Sequence, residues 1–164
     1  GLPMQGRVTG AFSQGGDRPV TFAMQDFFNA PRFFRLRGAE VEPLGLDSAS
    51  FKPTTPLVER RETARSADGT EVPLVILMQR DRKPGPVPTL LRGYGAYGIT
   101  ETEPTYSAGA TPFIELGGIV ARCGTRGGGE RGRSWHEAGR SANKPNAHAD
   151  LIACAERLIE LGLT

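Results

Sequence analysis

Tyr94 is the side chain in this sequence best placed to do chemistry, because it stands in Gly93-Tyr94-Gly95-Ala96-Tyr97-Gly98 with a residue lacking a Cβ on either side. A phenol with such small neighbours is accessible, and aimed at a carbonyl oxygen that gains negative charge it acts as a preorganised hydrogen-bond donor. The competing reading makes Tyr94 and Tyr97 packed aromatics whose hydroxyls reach solvent. The same residues spell Gly93-x-Gly95-x-x-Gly98, the dinucleotide fingerprint, so a nucleotide-binding α/β module is an alternative function. That fingerprint needs a helix after its third glycine to hold pyrophosphate. Here Ile99-Thr100-Glu101-Thr102-Glu103-Pro104 reads as extended and acidic, and it ends in proline.

Other reactive residues lack their partners. His136-Glu137 begins H-E-x-x-H, but position 140 is Arg140, so no metal site is expected. His148 stands alone, where a capping or surface role is the common one. Neither Ser107 nor Ser134 satisfies the G-x-S-x-G of a nucleophile elbow. Cys123 and Cys154, far apart in sequence, form neither a disulfide framework nor a zinc-ligand pair and are expected to be small core residues. No cofactor is implied.

The elements that must position these residues are read from periodicity. Leu116, Ile119, Val120, Ala121 and Cys123 make a short run suited to a strand buried on both faces. The glycines of Arg126-Gly127-Gly128-Gly129-Glu130 then force a turn, and residues 146–163 repeat Leu151, Ile152, Ala155, Leu158 and Ile159 at helical spacing. Together they predict β-loop-α, half of a parallel βαβ unit. Upstream, segments 58–64 and 72–78 flank Ser66-Ala67-Asp68-Gly69, an Asp-Gly hairpin signal, and Thr89-Leu90-Leu91 starts a strand that ends in the tyrosine loop. A short helix is expected within residues 107–116. Residues 1–50 read as β segments at 7–12, 20–24 and 32–36, parted by Gly15-Gly16-Asp17 and Asn29-Ala30-Pro31, with Phe22, Phe27, Phe28, Phe33 and Phe34 covering one face. Residues 44–56 suit a linker.

The 164 residues carry 20 basic and 18 acidic side chains in a mixed pattern, so no polyanion partner and no nucleic acid is expected. No apolar run approaches the ~20 residues of a membrane span. The chain starts at Gly1 and stops directly after a helix, which reads as a piece of something longer.

Several separated motifs now agree in order. Leu91 to Gly98, Gly117-Gly118-Ile119-Val120, Arg126 to Glu130, Trp135-His136, Gly139, Asn143-Lys144 and Asn146 together resemble the prolyl oligopeptidase family of serine peptidases over residues 57–164. Ser66-Ala67-Asp68-Gly69-Thr70 resembles the family's entry into its α/β-hydrolase domain, and residues 1–50 resemble, loosely, the end of its β-propeller. The resemblance implies an α/β fold holding a partial α/β-hydrolase sheet, with residues 1–50 from the propeller and 51–164 from the N-terminal half of the hydrolase domain. It implies a serine-type oligopeptidase acting on short peptides, with Tyr94 as oxyanion donor and Tyr97 lining the pocket for the side chain before the cut bond. Arg126, Glu130 and His136 are expected to be scaffold. The family's nucleophile, Asp and His are absent from this stretch, so the chain alone is expected to be inactive. The whole enzyme is expected to be a cytoplasmic monomer, with periplasmic or secreted placement left open.

Overall fold

A computed structural model describes residues 4–13, 15–16 and 18–164; Asp17 of the expected first turn lies outside them. The chain forms two compact units, Gly1–Pro53 with Pro104–Pro112, and Thr54–Glu103 with Phe113–Thr164.

The first unit is an antiparallel meander of β1 (Arg7–Phe12), β2 (Val20–Gln25), β3 (Arg32–Arg37) and β4 (Glu40–Pro43), hydrogen-bonded in that order. Period-2 alternation sends Phe22, Met24 and Phe34 to one buried face, and Phe22 pairs directly with Phe34, their rings stacked 5.6 Å apart. The five phenylalanines therefore do not share one face. Phe33 alternates with Phe34, so the two neighbours point to opposite sides of β3. The fourth strand had no sequence signal, since Glu40-Val41-Glu42-Pro43 holds one apolar residue. Residues 104–112 join this unit, where the Tyr106 amide donates to Gln25 Oε1 and its hydroxyl accepts from the Phe51 amide.

The second unit is a mixed sheet of β5 (Leu57–Arg65), β6 (Glu71–Gln79), β7 (Thr89–Arg92) and β8 (Ile119–Cys123), in the order β5-β6-β8-β7. β5 and β6 form the expected hairpin, with Gly69 at φ +83° in its turn and Asp68 accepting from the Thr70 amide. β8 pairs antiparallel with β6 and parallel with β7, and all five of its residues are buried. Leu116 is not part of it. That residue follows α1 (Ala110–Glu115) and is exposed, because Gly117 at φ +95° turns the chain before the strand begins.

After β8 come α2 (Arg133–Glu137), which no local periodicity announces, a single 3-10 turn at Ser141–Asn143, and α3 (Lys144–Glu160). Helix α3 lies against β5, β6 and β8, and its buried residues are Ala147, Asp150, Ala153, Cys154 and Leu158. Ile152 and Ile159, expected on the core face, are exposed. Small side chains at 147, 153 and 154 let the helix approach the sheet closely, which rotates the buried face away from the larger isoleucines. Cys123 and Cys154 are core residues as expected, but they are joined in a disulfide. Their separation of 31 residues disguised the pairing; a strand end and the middle of the covering helix bring their Cα atoms to 6.1 Å. Among the described residues no helix is long and apolar enough to cross a membrane.

Candidate functional site

The site is built where parallel strand β7 ends. Open α/β sheets place ligands at the carboxyl ends of such strands. The tyrosine loop leaves β7 at Gly93 and lies on the Arg126–Gly129 loop that leaves neighbouring β8, so two glycine-rich loops from adjacent strands face each other.

Close approach explains the glycines. A Cβ on Gly95, at φ +61°, would stand 2.5 Å from Thr125 Oγ1, and one on Gly93 would stand 2.9 Å from Leu151 Cδ1. A Cβ on Gly127 would run into the Gly95 carbonyl, and one on Gly129 into the Gly98 carbonyl. Hydrogen bonds then join the loops: the Gly98 amide donates to Gly127 O at 3.1 Å, and the Gly129 amide to Ile99 O at 3.3 Å. Lys144 Nζ donates to Gly95 O at 2.6 Å. A cation at the first residue of α3 opposes the helix dipole, so its position is better explained by this bond than by helix stability.

On this bed the tyrosines are presented outward. Tyr94 is 46% exposed and Tyr97 82%, and their rings stack 6.2 Å apart. Tyr97 has φ +54°, a conformation that costs a non-glycine residue about 1–2 kcal/mol. Strain of that kind persists where the surroundings hold it and is common at functional sites.

Beneath the loops sits a buried ion pair between residues far apart in sequence. Asp150 is fully buried and accepts from the Arg126 backbone amide at 2.8 Å, from Nε at 2.9 Å and from Nη2 at 2.7 Å. Arg126 Nη1 reaches Asp68 at 2.5 Å, and Nη2 reaches Ser66 Oγ at 3.3 Å, so the hairpin turn closes over the same guanidinium. Hydrogen bonding from Arg126, and then from Thr70, holds the Asp68 carboxyl well below its ordinary value. The two carboxylates, Asp150 foremost, raise the Arg126 pKa. Arginine followed by three glycines was the visible signal; its partners, 58 residues back and 24 forward, were not.

His136 and Glu130 each hold backbone. His136 Nδ1 lies 2.7 Å from Gly127 O, and the Gly127 amide donates to Trp135 O. Trp135 Nε1 donates to the carbonyls of Gly124 and Thr125, each at 3.1 Å. Glu130, its pKa raised by burial, accepts from the Glu101 amide at 2.8 Å. The acidic stretch after Gly98 is partly neutralised: Glu101 is buried and bonded to Arg92 at 3.1 Å. No helix follows Gly98, and α1 begins only at Ala110, so the dinucleotide fingerprint lacks its phosphate-binding helix.

Comparison with known proteins places this arrangement in a wider set. The profile of the Prolyl oligopeptidase family matches residues 104–164. The prolyl endopeptidase of Elizabethkingia miricola is 31% identical over 166 residues, covering 99% of this chain and 23% of its own. The dual function macrocyclase-peptidase POPB of Amanita bisporigera is 36% identical over 149 residues, covering 89% of this chain and 19% of its own. A prolyl endopeptidase structure, from work on inter-domain dynamics in two such enzymes, matches with TM-score 0.88 and 28% identity over 99% of this chain and 24% of that one. Oligopeptidase B from Trypanosoma brucei with covalently bound antipain matches with TM-score 0.79 and 34% identity over 89% of this chain and 21% of that one. The chain thus spans about a quarter of the length of these relatives. The fold class is the expected one, a partial α/β-hydrolase sheet preceded by a β segment like the last part of a β-propeller.

Proposed function

The chain belongs to the prolyl oligopeptidase family of serine peptidases, and we propose that it is the segment of such an enzyme that carries the side-chain half of the oxyanion site. In this reading residues 1–50 are the end of a propeller-like domain and residues 51–164 the N-terminal half of the hydrolase domain. The observation that carries it is the seat of Tyr94: half exposed, at the carboxyl end of a parallel strand, on a backbone fixed by Lys144 and by the interlocked Gly127 and Gly129.

The chemistry is acyl transfer. When a serine oxygen attacks the peptide carbonyl, charge moves to the carbonyl oxygen. A phenolic O–H already aimed there stabilises the tetrahedral intermediate without reorganising. Tyr97, beside it, forms one wall of the pocket for the side chain preceding the cut bond. The substrates are short peptides, and the whole enzyme is a monomer. The sequence contains no G-x-S-x-G, so these residues supply a donor and a wall but no nucleophile or base. Triad members act as a unit, and the chain by itself is inactive. As to compartment, the buried disulfide favours the periplasmic or secreted placement over the cytoplasmic one.

The test uses the complete polypeptide carrying these residues, assayed on reporter peptides with proline or arginine before the cut bond. Tyr94→Phe lowers kcat by about 10²–10³-fold with KM little changed. An unchanged kcat would remove Tyr94 from the oxyanion site. The 164-residue chain alone turns over neither reporter and takes no label from a serine-directed phosphonate; labelling would refute its inactivity.

A further inference from the structure

We propose that Cys123 and Cys154 form a permanent structural disulfide in the working protein, and that the protein is therefore made for an oxidising compartment outside the cytosol. The sequence contains two cysteines in 164 residues, and each is the other's partner. Both are fully buried, in a cluster with Ile119, Ala121, Ala153 and Leu158. Cys123 ends β8 and Cys154 lies midway along α3, so the bond ties the central strand to the helix that covers it.

What the bond encloses gives it a purpose. The closed segment runs through the Arg126–Gly129 loop, α2 and Asp150, which is the whole bed on which the tyrosine loop rests. Fixing both ends of that segment limits how far the loop can part from α3. Burial also decides what kind of disulfide this is. A catalytic or sensing disulfide must admit an attacking thiolate to one of its sulfurs. Here both sulfurs are sealed in the apolar core, so reduction requires the helix to leave the sheet.

The same burial fixes when the bond forms. One cysteine thiolate attacks a disulfide-bonded oxidant, protein or small molecule, and releases one of its thiols. The second cysteine then attacks the mixed disulfide and releases the other. Two protons and two electrons pass from the cysteines, and both sulfurs of the oxidant leave as thiols. This exchange precedes the docking of α3, since the folded protein admits no oxidant. Disulfides of this kind are rare in the cytosol, where thiols are kept reduced.

This inference does not rest on the peptidase reading. The experiment takes the protein from its own cells, lysed in N-ethylmaleimide with denaturant so that free thiols are trapped, and digested with trypsin without reductant. The expected product is Cys123-Gly124-Thr125-Arg126 linked to the peptide from Ser141 to Arg157, with no maleimide on either cysteine. Native protein held in millimolar dithiothreitol keeps the link until denaturant is added. Maleimide on both cysteines of freshly lysed cells overturns the proposal. Rapid reduction of the native protein overturns its permanence and marks the pair as a switch.

Discussion

The loops at residues 93–98 and 126–129 are both rich in glycine, yet the first holds two tyrosines out to solvent while the second buries its arginine to 5% exposure. In the second loop glycine is needed because backbone meets backbone: a side chain on Gly127 or Gly129 would collide with a carbonyl of the first. In the first loop the requirement is uneven. Gly93 and Gly95 are crowded, whereas Gly98 has nothing within 4 Å of a would-be Cβ and is there for its φ of +64°. One loop is a mould and the other is what it shapes, so the display of Tyr94 depends on the backbone of the neighbouring loop.

The sharpest way to break that relation is Arg126→Met, which strands the buried Asp150 carboxylate. Removing one partner of a buried pair costs about 3–5 kcal/mol, read from urea denaturation, and adding Asp150→Asn should restore part of it. Next comes Gly127→Ala. Overpacking of this kind costs about 1–3 kcal/mol in addition to the strain of φ +95°, whereas Gly98→Ala should show only the strain, about 1–2 kcal/mol. Equal losses from the two would mean that the loops are not interlocked. Tyr97→Gly works in the other direction: relieving φ +54° should raise stability by about 1 kcal/mol while removing the exposed ring, seen as a higher melting temperature. The smallest effect is one of pH. Asp68 has a lowered pKa in the folded chain, so its contact with Arg126 adds stability that is present above the ordinary carboxylate value and is lost as pH falls below about 4. Asp68→Asn should flatten the melting temperature between pH 5 and about 3 relative to the parent.

Local signals in the sequence were reliable where one residue type decides the backbone. Asp68-Gly69 marked the β5–β6 hairpin, the glycines after Arg126 marked the loop, and short apolar runs bounded by turn residues marked β2, β3 and β6. Of the candidate site, the spacing among glycines singled out Tyr94 and Tyr97, and both stand exposed on that loop. Partnerships across long separations were not. The Cys123–Cys154 bond, the Arg126 contacts to Asp68 and Asp150, and the Lys144 bond to Gly95 each join elements that periodicity cannot bring together. Helix α3 shows a further limit. Its hydrophobic stripe pointed to Ile152 and Ile159, but the close approach allowed by Ala147, Ala153 and Cys154 set its buried face. The disulfide also closes a loop for which chain-entropy arguments give stabilisation of about 3–4 kcal/mol.

The position of Arg126 between two distant carboxylates has a consequence for assembly on the ribosome. Asp68 emerges early with its hairpin, but Asp150 emerges 24 residues after the arginine. Until then the guanidinium has only a solvent-facing turn to pair with, and it has no reason to leave water. The loop therefore takes its final form only when α3 arrives. The tyrosine made much earlier stays unsupported through all the intervening elongation.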